Sequence, residues 1–133
     1  MARGYDNDRE RKLKVSFFGK DLARRSKSCC ELCEVSGEKL EVFEVPPVPE
    51  VPDFDRCIFI CNSCKKLLGN IDRADENDVR FFNNSIWSEV EMVKAVSIAA
   101  LRRMEEKHSW ASDILDTAYI DVDMEEKVEG IEL

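Results

Sequence analysis

The chain has 133 residues, one domain's worth, with 44% hydrophobic and 36% charged side chains and a net charge of −8. No apolar run approaches the roughly 18 residues a membrane span needs, and no leader pattern opens the sequence, so a cytoplasmic protein without membrane contact is expected. The charge is segregated: residues 1–30 carry 9 basic and 4 acidic side chains, the remainder 11 basic and 24 acidic, so an acidic body argues against broad phosphate-backbone binding.

In chain order, residues 1–10 (MARGYDNDRE) have almost no apolar content and read as a flexible tail. From Arg11 to Lys27 the pattern is helical, with Leu13, Phe17, Phe18 and Leu22 expected along one face. Its basic residues Arg11, Lys12, Lys14, Arg24 and Arg25 are candidate nucleic-acid contacts, although a solvated helix face is the plainer reading. The turn signal SGEK then leads into a strand-like segment containing Leu40, Val42 and Phe43. All four prolines fall in VPPVPEVPDF, an extended crossing loop, because proline lacks the amide donor and restricts its predecessor. RCIFI reads as a second strand, and a short helix from about Ser63 to Leu68 should end at Gly69. Residues 11–70 thus form a helix plus a knuckle and hairpin.

Residues 71–119 read as a polar connector and the helical part of the same domain, with Phe81 and Phe82 as candidate anchors. Ser88 and Glu91 suggest a capping box before a helix from Glu89 to about Lys107, in which Val93, Val96, Ala100 and Met104 share a face. A shorter helix is expected from about Trp110 to Tyr119, with Trp87 and Trp110 as core anchors and His108 at the favourable C-terminal end of the long helix. Residues 120–133 read as an acidic tail. Asp113, Asp116, Asp121 and Asp123 lack calcium-loop spacing, so a solvated acidic face is expected.

The cysteines carry the chemistry. Cys30-x2-Cys33 and Cys61-x2-Cys64 are two knuckles of the kind that supply four thiolates to one tetrahedral zinc. The hairpin between them would bring the pairs together. Cys29 could replace Cys30, but only Cys30 has the two-residue spacing to Cys33 that matches the second pair. Cys57 reads as a small buried hydrophobe. A thiol–disulfide active site would need a thioredoxin-like strand–helix context, which is missing. Four thiolates fill a tetrahedron and leave no position for water, so one structural Zn2+ per chain is expected and no catalytic metal.

The segments LARRSKSCCELCEVSGEKLEVFEVPP, CIFICNSC, S-x-W-S-E and WASDILDTAYID together resemble the N-terminal part of PhnA-like, alkylphosphonate-associated zinc-ribbon proteins. That resemblance covers about residues 22 to 123. It implies a cytoplasmic zinc-binding protein and no established reaction. Two departures stand out: DVRFF occupies the place of a His-Trp-Arg-Cys-Leu segment, and the chain does not continue into the family's small β domain. More distantly, the knuckle–strand–knuckle order is similar to the frame of HNH endonucleases, with Phe43 and Glu44 where paired histidines would stand. Without imidazoles there, neither a general base nor a catalytic cation ligand is supplied.

The expected fold is α+β, a zinc-ribbon or treble-clef-like hairpin module packed against C-terminal helices. The expected function is a non-catalytic binding or regulatory module with an unidentified protein partner. Its alternatives are a degenerate HNH-like nucleic-acid binder and an enzyme linked to phosphonate metabolism.

Overall fold

The computed structural model describes residues 2–133, with side chains from Arg9 onward. Helix α1 spans Ala2–Ser26, followed by strands β1 (Leu40–Glu44) and β2 (Cys57–Cys61) and helices α2 (Asn62–Gly69), α3 (Phe82–Ser85), α4 (Glu91–Glu105), α5 (Ser109–Leu115) and α6 (Val122–Glu129). Short 3-10 turns occupy Phe54–Arg56 and Ile71–Arg73. The architecture is a mixed one: helices around a two-stranded antiparallel sheet.

Helix α1 begins at Ala2, which corrects the expectation of a flexible tail over residues 1–10. Once the docked turns around Leu22 exist, each further residue adds a hydrogen bond without a new nucleus, and no proline interrupts the stretch. The apolar face also differs from the expected one. Leu22 is fully buried and Phe18 meets Phe54 edge-to-face at 5.5 Å, but Leu13 and Phe17 are 53% and 73% exposed. The two pairs form separate stripes about 140° apart on the helix, and the narrow sheet covers only one of them.

The strands pair from Leu40↔Cys61 to Glu44↔Cys57. The β2 side chains Ile58 and Ile60 are fully buried, whereas every residue of β1 is half-buried. Gly37, at φ 78°, sits in the left-handed region that the turn into β1 requires and that a side chain would disfavour. This register sets Cys61 beside the start of β1, on the side of the turn that carries Cys30 and Cys33.

The C-terminal half is organised by α4, whose Val93, Ala95, Val96, Ile98, Ala100 and Leu101 are all fully buried. The expected capping box does not form. The Ser88 hydroxyl accepts from the Val90 amide at 3.1 Å, Val90 is the N-cap, and Glu91 instead pairs with Lys127 at 3.2 Å. Trp87 is 56% exposed, which corrects its expected role as a core anchor; Phe82 and Ile86 fill that place with no exposure. A short helical turn can aim only one side inward, and it aims Phe82, Ser85 and Ile86. Trp110 is half-buried and stacks on His108, which forms the N-cap of α5. A buried hydroxyl pair, Ser85 and Ser97 at 2.6 Å, joins α3 to α4, and the Ser97 hydroxyl also donates to the Val93 carbonyl, so neither is left unsatisfied.

Residues 120–133 are not a tail. Asp121 caps α6 by accepting from the Met124 amide at 2.8 Å, and Met124 and Val128 are buried one turn apart. Arg102 grips Glu125 through two bonds of 2.8 and 2.6 Å, holding that carboxyl below its ordinary range. The Glu132 amide reaches back to the Pro46 carbonyl at 2.9 Å, tying the C-terminus to the proline loop. An acid-rich composition concealed an amphipathic turn. One continuous apolar cluster therefore runs from Cys30, Ile58 and Ile60 through Phe82 and Val93 to Val128. Among the described residues, no helix is long and apolar enough to cross a membrane.

Candidate metal centre

The first knuckle is a tight reversal closed by its own backbone. The Cys30 amide donates to the Val35 carbonyl at 3.0 Å, and the Glu34 amide to the Cys30 carbonyl at 2.9 Å. Glu34 adopts a left-handed φ of 67° to complete it. The second knuckle is the strand-to-helix junction: Cys61 ends β2 and caps α2, and Cys64 lies in the first turn of that helix. Amides at a helix start carry partial positive charge and suit neighbouring thiolates.

A buried ionic clamp holds the two knuckles in register. Glu31, inside the first knuckle, accepts from Arg25 at 2.9 and 2.7 Å and from the Phe59 amide at 2.8 Å. Its own amide donates to the Phe59 carbonyl at 2.8 Å. Arg25 also donates to the Cys57 carbonyl at 3.1 Å and lies over the Phe54 ring. The Glu31 side chain is only 4% exposed. Sequence reasoning missed this clamp, because a glutamate within CELC looks like any surface acid.

The result is a cluster of four sulfurs, from Cys30, Cys33, Cys61 and Cys64, all within 4.8 Å of one another. Cys30–Cys64 and Cys33–Cys61 are both 3.7 Å. Four sulfurs at the usual ~2.3 Å from a tetrahedral zinc stand about 3.8 Å apart, so these two edges already have the size of a metal-thiolate tetrahedron. All six cysteines are free thiols. The cluster can hold one metal ion.

Its protonation is unequal. The hydrogen bond with Cys64 pulls the Cys30 thiol down to about 4 against the effect of burial, helped by amides that include Cys61 N–H at 3.4 Å. Cys64 is pushed up, by that same hydrogen bond and by burial. Burial raises Cys33 to about 11. A metal ion would replace the protons shared here, as thiolate ligation requires.

The neighbouring cysteines stand apart from the cluster. Cys29 is half-buried in a one-residue bridge to Ser36, with its sulfur 3.6 Å from the Lys27 carbonyl. Cys57 is fully buried, bonds the Asp53 carbonyl at 3.3 Å, and is raised to about 11 by burial and then by the charges of Glu44 and Asp53.

Two of the five candidate nucleic-acid residues are engaged by acidic side chains. Arg11 is engaged by Glu44 at 2.6 and 3.3 Å and by the Glu50 carbonyl at 2.8 Å, and Arg25 is engaged by Glu31, so neither offers a free guanidinium. Lys14 and Arg24 are exposed on α1, as is Lys12. At the HNH-like position, Glu44 is that partner of Arg11 and Phe43 packs against the core, so the pair serves hairpin docking.

Comparison with family models, with curated proteins and with solved structures gave no match.

Proposed function

We propose that this protein is a binding module whose hairpin is held by one structural Zn2+ on Cys30, Cys33, Cys61 and Cys64. The carrying observation is the four-sulfur cluster with two edges of 3.7 Å. Zinc fits best among common ions because thiolates are soft donors, and tetrahedral sulfur sites hold zinc without redox chemistry. Four protein ligands complete the shell, so the ion's work is to hold shape. The free cysteines suit a reducing compartment, hence the cytoplasm. The resemblance of its motifs to PhnA-like zinc ribbons would imply the same metal, and it adds no reaction. Metal analysis of protein expressed without added metal is expected to find one zinc per chain; a value far below one, or a different metal, overturns the assignment.

The surface for the partner is the outward side of α1. Arg9, Leu13, Phe17, Lys20 and Arg24 are exposed and follow three- and four-residue steps, giving one stripe with two apolar anchors among three cations. Charge complementarity points to an acidic protein segment with apolar side chains of its own. A nucleic-acid duplex bound through its phosphates would use the cations and leave Phe17 idle. Phe17→Glu and Arg24→Glu are each expected to reduce capture of an acidic protein from the native cell by tenfold or more. Equal capture by wild type and variants would refute this surface, and salt-sensitive DNA or RNA binding that survives Phe17→Glu would favour the nucleic-acid alternative instead.

A further inference from the structure

The four ligands differ in how they meet the solvent. Cys30, Cys61 and Cys64 are 1%, 5% and 3% exposed, whereas Cys33 is half-buried. Two separate clefts open onto Cys33. One, about 220 Å³, is lined by Ser63, Cys64, Leu67, Asp78 and Phe81. The other, about 270 Å³, is lined by Val35, Glu38, Cys61, Asn62 and Ser63. The first cleft also touches Cys64 and the second Cys61, but Cys33 lines both and is the one member of the cluster that is not buried.

We propose that Cys33 is a modification site through which small peroxides oxidise the metal centre and release its zinc, a regulation that rests on the zinc assignment above. Metal ligation keeps the sulfur a thiolate, and a thiolate is the nucleophile in such chemistry. The Cys33 sulfur attacks one peroxide oxygen; an S–O bond forms, the O–O bond breaks, and hydroxide leaves. Sulfur is oxidised by two electrons and the peroxide is reduced by two. The resulting sulfenic acid is a poor zinc ligand. Cys61, whose sulfur is 3.7 Å away, then attacks it, forming an S–S bond and expelling a second hydroxide. With two thiolates consumed, the metal loses half its donors and departs. Cys30 accepts the Cys61 amide and is only 1% exposed, so it is the ligand least suited to begin the sequence.

The test uses the zinc-loaded full chain carrying Cys29→Ser, which removes the nearby non-ligand thiol. Hydrogen peroxide is added while a metallochromic dye follows zinc release, and trapped sulfenic acid and disulfides are mapped by mass spectrometry. Oxidation is expected to appear first at Cys33, then as a Cys33–Cys61 disulfide, at the same rate as zinc release. Ser63 lines both clefts, so Ser63→Leu should slow release about threefold or more without changing zinc content. First oxidation at Cys30, Cys61 or Cys64, or release unaffected by Ser63→Leu with normal zinc content, overturns the proposal. Absence of zinc before peroxide is added would instead overturn the metal assignment, which separates the two failures.

Discussion

Cys64→Ser is expected to unfold the protein at ordinary temperature, or to lower its thermal midpoint by on the order of 15 °C or more. Structural zinc in small thiolate sites has apparent binding free energies of about 10 kcal/mol or more, comparable to the whole stability of a typical domain at ~5–15 kcal/mol. Loss of one proposed ligand removes much of that term and takes away the hydrogen bond between Cys30 and Cys64. Because one apolar cluster joins the knuckles to α4 and α6, the loss should appear as a single cooperative transition rather than as local fraying of the hairpin. A chelator in excess should give the same result in the wild type. Cys57→Ser is the control: it is equally buried, but it has only a hydrogen bond to the Asp53 carbonyl that a serine hydroxyl can keep, so the cost should be about 1 kcal/mol. Comparable losses for the two variants in thermal melts would show that the cluster stabilises by packing alone.

Glu31→Gln is expected to cost about 3 kcal/mol in denaturant unfolding. The carboxylate sits almost wholly out of water against a guanidinium and a strand amide, and breaking such a pair strands the other charge. An amide keeps the volume but brings an N–H toward Arg25, which is itself only a donor. Arg25→Met should cost a similar amount, and the double variant far less than the sum, since neither charge is then left alone. Additive losses, within about 0.5 kcal/mol, would mean that the two side chains do not act as a unit. Arg25 reversal is consequently unsuited as a probe of nucleic-acid binding, because it would disturb the knuckle first.

The four-cysteine cluster and the hairpin were legible because both depend on local rules. Two residues between cysteines is the span of a knuckle turn, and the short continuous run of apolar, β-branched and aromatic residues in RCIFI favours a buried strand. The α4 stripe was legible for the same reason: Val93, Val96, Ala100 and Met104 repeat at the helical period, and all are buried. Periodicity alone could not say which of two stripes on α1 would be covered. Leu13 and Phe17 carry the same signal as Phe18 and Leu22, and only the position of the sheet separates them. The acidic C-terminus misled through composition, because a helix needs only Met124, Val128 and the Asp121 cap to dock, however many carboxylates face outward.

What this sequence determined by itself is the inventory: four cysteines in two knuckles, a hairpin to join them, and an amphipathic helix to receive them. These follow from spacing and period, which act over a few residues. The tertiary structure alone decided how those parts are used. It spent Arg11 and Arg25 on Glu44 and Glu31, turned Trp87 outward, and left Cys33 as the one half-buried cysteine of the cluster. Each of those outcomes depends on which surfaces meet between residues distant in the chain, and burial is a property of that meeting rather than of any residue's neighbours in sequence.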